Sequence, residues 1–227
     1  MNAQKVKCAV TAILITAAIT VKAQDMGQVY MENAAASQQA YMTSHINGLT
    51  LRNVLKGNSS KGESNLTYNP STRIRDRVID RMAAGMKLSQ ANVVRLKQKD
   101  FNKIFTEITA PYRLQVDDAA DILTAYQVLN WMIANNAPDP TPSSVDAVRR
   151  SSIAALKLDR DIAHNAGNRA MLGEELKIIF VLNHSGWQAA KKSGAVSAYS
   201  DNITNQYQRR YNQDLRKLKL DSKGLHQ

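Results

Sequence analysis

Residues 116–136 read VDDAADILTAYQVLNWMIANN, and the fold turns on how that stretch is understood. From 119 to 134 its apolar residues are Ala119, Ala120, Ile122, Leu123, Ala125, Tyr126, Val128, Leu129, Trp131, Met132, Ile133 and Ala134, which cover nearly the whole circumference of a helix. A helix that is apolar all round is enclosed by protein or embedded in a membrane. A span needs roughly 20 uninterrupted apolar residues, and Gln127 and Asn130 interrupt this run after about two turns. The stretch therefore reads as a central core helix. Asp117 suits its N-cap, with Asp118 and Asp121 in the first turn, where the helix dipole favours carboxylates. Asn135 and Asn136 precede Pro138-Asp139-Pro140-Thr141-Pro142, which cannot continue a helix because proline lacks the N–H and clashes with the preceding turn.

The segments on either side carry helical periods. Upstream, Asn69-Pro70-Ser71-Thr72 is a start signal, after which Ile74, Val78, Met82 and Met86 form one stripe and Arg73, Arg77 and Arg81 another. Ser89 can cap a second helix whose apolar positions Val94, Phe101, Ile104, Phe105 and Ile108 run to near Pro111, with Lys97, Lys99 and Lys103 on its polar side. Downstream, Thr141-Pro142 starts a helix with Val145, Val148, Ser152 and Leu156 on one face. A longer one over 169–192 has Leu172, Leu176, Ile179, Phe180, Asn183 and Trp187 inside, and Ser193-Gly194 ends it. A last helix over 196–215 sets Tyr199, Ile203, Tyr207, Tyr211 and Leu215 four apart. Beyond it Leu215-Arg216-Lys217-Leu218-Lys219-Leu220 alternates, as a short strand or a fraying tail would. The expected fold is all-α, a single-domain bundle of about five or six helices around a buried central helix at 117–136.

The amino terminus reads as a secretory signal over residues 1–23. Lys5 and Lys7 form a charged region, residues 8–21 an apolar one, and Val21-Lys22-Ala23 a small-residue site for cleavage between Ala23 and Gln24. Removal takes away Lys5, Lys7, Lys22 and no acid. The 30 basic residues against 19 acidic become 27, and the net charge falls from +11 to +8. Cys8, the single cysteine, leaves as well, which excludes disulfides, thiolate metal sites and cysteine nucleophiles from the mature chain. Residues 24–68, with Gly57-Asn58-Ser59-Ser60-Lys61-Gly62 among them, read as a flexible arm before a helical domain at 69–227. The expected address is periplasmic or secreted, with no transmembrane span once the signal is gone.

The order of blocks is similar to that of a family of exported bacterial proteins known as a domain of unknown function. The blocks are Asn69-Pro70-Ser71 before an arginine-rich helix, DDAADILTAYQVLNWMIAN at 117–135, Val145-Asp146-Ala147-Val148-Arg149-Arg150, and Asp214-Leu215-Arg216-Lys217-Leu218-Lys219-Leu220. That resemblance covers about residues 68–225 and implies an exported helical domain behind a variable arm. It implies no activity, cofactor or catalytic residue.

Few groups invite chemistry. Asp117-Asp118-Ala119-Ala120-Asp121 matches the DDxxD spelling that holds Mg²⁺ against a diphosphate, and places Asp117 and Asp121 on one helix face. The second acidic motif such enzymes need is missing, since Glu174-Glu175 and Asp201-Asn202 lack its spacing. Asp117, Asp118 and Asp121 thus stand as a metal candidate against the plainer reading of helix capping. Asp161 and His164 read as a solvated pair, and His184 as a half-buried, hydrogen-bonded histidine. No nucleophile elbow and no phosphate-binding glycine loop is present. Arg209, Arg210, Arg216, Lys217 and Lys219 near the carboxyl end are the candidate binding residues, a basic face beside Tyr207 and Tyr211. An anionic envelope component or an acidic protein suits that face in an exported chain better than nucleic acid. The sequence calls for no cofactor. It favours a non-catalytic binding protein using basic surfaces. The alternatives are an enzyme or divalent-cation site at the three aspartates, and an immunity or antitoxin-like factor.

Overall fold

The computed structural model describes residues 65–227. The expected signal peptide at 1–23, its cleavage point between Ala23 and Gln24, and the arm as far as residue 64 lie outside the described residues. Eight helices and one small hairpin follow, and the all-α single-domain expectation holds.

Helix α1, Thr72–Met86, leaves Pro70-Ser71 as foreseen and buries Val78, Ile79, Met82, Ala83 and Met86, while Ile74 is only half-buried. Lys87, at φ 51, closes it in the left-handed conformation. The expected helix from Ser89 to Pro111 is two. In α2, Gln90–Lys97, the Ser89 hydroxyl accepts the Asn92 N–H, and in α3, Phe101–Thr109, the Asp100 carboxylate accepts the Lys103 N–H. Asp100 breaks the run because its short acidic side chain satisfies a new helix start better than a helix interior. The break re-aims α2, so Val93 and Leu96 face inward and Val94, expected inside, is exposed.

Helix α4, Ala119–Asn135, is the expected centre. Of its residues from 119 to 134, all but Trp131 are buried, and Trp131 donates its Nε1–H to the Leu218 carbonyl at 2.9 Å. Its polar interruptions find partners inside: the Ser152 hydroxyl donates to Gln127 Oε1 at 3.2 Å, and Asn183 Nδ2 to Asn130 Oδ1 at 2.9 Å, while Gln127 Nε2 has no acceptor among the described residues. Around α4 stand α5, Pro142–Leu158, the 28-residue α7, Ala166–Ser193, and α8, Val196–Tyr211. The short α6, Arg160–Ala163, joins α5 to α7. With the split of 89–111, it brings the number of helices from six to eight. The tyrosine stripe Tyr199, Ile203, Tyr207, Tyr211 and Leu215 is buried throughout, although α8 ends at Tyr211 and Leu215 sits in a 3₁₀ turn, Leu215–Lys217.

Both chain ends are fastened to this core. The tail that could be strand or coil is a hairpin, β1 Lys219–Asp221 against β2 Gly224–His226, with Leu220 opposite Leu225. Gly224 sits at φ 90, a conformation L side chains rarely adopt. At the other end, Thr67 bridges Asp118: Tyr68 N–H donates to the Asp117 carbonyl at 2.9 Å, and Ala119 N–H to the Leu66 carbonyl at 3.1 Å. Leu66 and Tyr68 are buried. The Tyr68 ring lies so close over Gly173 that a Cβ there would come within 2.3 Å of it. The folded domain thus begins before Asn69, and residues 66–68, expected in the arm, belong to it. No helix among the described residues is long and apolar enough to cross a membrane.

Candidate functional site

The three aspartates of the DDxxD match do not face one point. Asp118, not Asp117, caps α4, its Oδ1 accepting N–H groups of Ala120 at 2.8 Å and Asp121 at 3.1 Å. Asp121 is fully buried, paired with the Arg149 guanidinium of α5, and accepts the Gln115 N–H at 2.8 Å. Burial pushes its carboxyl up, while Arg149 and Gln115 pull it back down. Among the described residues no three His, Cys, Asp or Glu side chains gather where they could hold a metal ion.

The basic residues near the carboxyl end also separate. Arg216 donates to the Ala134 carbonyl and the Ser200 hydroxyl, both at 3.1 Å, and pairs with Asp201 at 2.5 Å, tying the 3₁₀ turn to α4 and α8. Arg210 lies half-buried with its guanidinium 5.0 Å from the Tyr211 ring centre. Arg209, Lys217 and Lys219 are exposed, and Arg216, though exposed as well, is held by Asp201 and the Ala134 carbonyl, so the outward basic face is smaller than the sequence suggests.

Three buried charges lie on α7: Lys177, which the sequence did not bring forward, and Glu174 and Glu175, which it raised only as a second acidic motif of the wrong spacing. Lys177 donates to Glu174 Oε1 at 2.8 Å and to Asn102 Oδ1 at 2.6 Å, and the Tyr68 hydroxyl donates to the same Glu174 oxygen at 3.1 Å. On the residue after Glu174, Glu175 accepts from Arg81 at 2.6 Å. Burial lowers the Lys177 ammonium and raises the Glu175 carboxyl from their ordinary values. Both clusters are packed shut, and they join α7 to α1, α3 and the 66–68 segment.

Open space is found elsewhere, in a cleft of about 460 Å³ between α3, the 3₁₀ turn Ala110–Tyr112, α4 and α7. Leu129, Met132 and Phe180 are among its apolar wall, with Phe105 packed edge-on behind Phe180 at 5.1 Å. Ile104 and Ile108, read from the sequence as core, are half-buried and form the α3 side. The mouth is polar. Glu107 comes from α3, Asp139 from the proline-rich loop, and His184, Gln188 and Lys191 from successive turns of α7. Tyr112 donates to the Pro140 carbonyl at 3.3 Å and so holds that loop to the rim. Lys191 places its ammonium 3.4 Å from the centre of the Trp187 ring, and the buried Trp187 Nε1–H finds no acceptor among the described residues.

His184 is half-buried, as the sequence indicated, with Gln188 Nε2 3.3 Å from its Nε2. Burial, then the nearby Lys191 charge, pushes its imidazole down to about 4 against a partial pull from Asp139. Above pH 6.5 the ring is neutral in both states and adds nothing to pH dependence. As pH falls from 6.5 to 4 the unfolded chain takes up a proton that the folded chain refuses, so stability is lost across that window. The loss expected is on the order of 2 kcal/mol, allowing for partial exposure. His184→Gln removes this slope, and urea unfolding of both proteins should show the variant gaining on the native chain between those pH values. A constant difference would mean that the imidazole protonates freely in the fold.

Comparison of the chain with protein-family models, curated proteins and solved structures finds no match.

Proposed function

We propose that the protein is a non-catalytic binding protein, exported to the periplasm or beyond, whose domain holds a small and largely apolar molecule in the cleft between α3, α4 and α7. The cleft carries the reading: its volume falls in the range of small-molecule sites, and an apolar interior under a few convergent polar groups is their usual chemistry. Binding without turnover is supported by what the polar groups already do. The Thr109 hydroxyl donates to the Phe105 carbonyl at 2.8 Å, and His184 meets Gln188 where a nucleophile–base pair would need a hydroxyl. The export address rests on the charged, apolar and small-residue order of residues 1–23 and on the family resemblance. The outward Arg209, Lys217 and Lys219 support attraction to an anionic envelope surface or an acidic protein. The enzyme or cation reading at Asp117, Asp118 and Asp121 has less support, because Asp118 caps a helix and Asp121 is paired with Arg149.

Titration with N-phenyl-1-naphthylamine, an uncharged apolar dye, tests the reading. Emission should rise with a micromolar dissociation constant. Ile108→Trp, which fills the cleft from a half-buried wall position, should weaken binding roughly tenfold, a loss of about 1.4 kcal/mol, with little change in Tm. Absence of binding, or binding indifferent to that substitution, would remove the cleft from consideration.

A further inference from the structure

We infer that the cleft selects a cationic amphiphile, an apolar body carrying an amine or quaternary ammonium group. This rests on the cleft being a ligand site and adds the charge of the ligand's head. The chain as a whole is strongly basic, with a net charge of +11, yet the exposed charged residues lining its cleft are two acids, Glu107 and Asp139, and a single lysine, Lys191. The local sign is thus opposite to the global one. An anionic head would meet both carboxylates, and its sole cationic partner is already engaged.

That engagement is the second observation. The Lys191 ammonium stands 3.4 Å from the Trp187 ring centre, so the indole face at this mouth already receives an alkylammonium. Aromatic faces attract cations through the ring quadrupole, tryptophan most strongly, and quaternary ammonium groups are recognised in this way. Tyr112 and Phe180 add further aromatic wall. His184 stays uncharged down to about pH 4 and presents no repelling charge at neutral pH. The geometry also makes Lys191 a competitor: a ligand cation would share or displace it on Trp187. Lys191 therefore weakens the binding it superficially suits.

Calorimetric titration of the full chain at low ionic strength with octyltrimethylammonium, octanol and octanoate, each below its micelle concentration, separates the possibilities. The ammonium is expected to bind about fivefold more tightly than octanol, and octanoate more weakly than octanol. Lys191→Met should tighten ammonium binding about twofold to fivefold. Glu107→Gln with Asp139→Asn should bring the ammonium down toward octanol, and octanol itself should not respond to either change. All three positions are exposed, so the variants keep the fold. Octanoate binding best, with Lys191→Met weakening it, would overturn the inference in favour of an anionic head. Equal affinities for the three probes would overturn it in favour of the tail alone. Failure of all three to bind would overturn the binding role of the cleft itself.

Discussion

Arg149→Met is expected to lower the unfolding free energy by about 3 kcal/mol at neutral pH, because it leaves the Asp121 carboxylate buried and unpaired. Asp121 has no solvent exposure, while the Arg149 side chain keeps 33 % of its own, which places the effect at the lower end of what breaking a buried pair costs. What the variant retains is one N–H donor, from Gln115 at 2.8 Å. The sign of the pH dependence follows. The Asp121 carboxyl in the fold already lies above its ordinary value through burial, and loss of Arg149 raises it further. A group with a raised folded pKa takes up a proton more readily in the fold, so the variant's deficit is full above that pKa and shrinks as pH falls through it. Urea unfolding at pH 7 and pH 4 should show the gap between native and variant narrowing at the lower value. A gap of the same size at both would mean that no buried charge is at stake. Micromolar Mg²⁺ or Ca²⁺ binding by the native chain, lost in Asp121→Ala, would return the acidic stretch to a metal-binding role.

Much of the fold was legible because it depends on local periodicity. The run from Ala119 to Ala134 is apolar on every side, and a helix of that kind has few places to go. The stripe Tyr199, Ile203, Tyr207, Tyr211 keeps one face over about three turns, and Thr141-Pro142 and Ser193-Gly194 mark their helix ends by backbone chemistry alone. The break at Asp100 was hidden because Phe101, Ile104, Phe105 and Ile108 continue the apparent period of the residues before it. Leu66 and Tyr68 were hidden for a different reason. Burial of the Tyr68 ring depends on Gly173, more than a hundred residues away, which leaves room for it, and Leu66 is joined to the core by its carbonyl, which accepts the Ala119 N–H. The cleft was the least legible feature. Ile108, Leu129 and Met132 have the spacing of ordinary core residues, and whether the space among them is filled depends on side-chain volumes from four separate segments. His184, Trp187 and Lys191 on one face of an otherwise apolar helix were the available signal: a polar ring, an indole and a cation where a core helix would carry aliphatic groups.

Lys177→Met should cost about 3 to 5 kcal/mol, the largest loss expected of a polar substitution in this domain. Its ammonium has no exposure, and removing it leaves the Glu174 carboxylate, itself 3 % exposed, with only the Tyr68 hydroxyl at 3.1 Å. Asn102 Oδ1 loses its donor at the same time. Methionine matches the stem of lysine closely enough that the loss reports charge and not a cavity. Adding Glu174→Met should recover part of the stability, because a buried pair replaced by apolar side chains is often neutral while a broken one is not. Chemical unfolding of the two single variants and the double variant gives the coupling, and strictly additive losses would show that the two charges do not support one another. The pair also bears on the cleft. Lys177 joins the first turn of α3 to α7 through Asn102, and α3 supplies Ile104 and Ile108 to the cleft wall while α7 supplies Phe180 and Trp187. If that link sets the separation of the two helices, Lys177→Met loosens the cleft and weakens dye binding even under conditions where the variant is folded. Dye affinity unchanged in the folded variant would confine Lys177 to stability and leave the cleft's width to the Phe105–Phe180 contact.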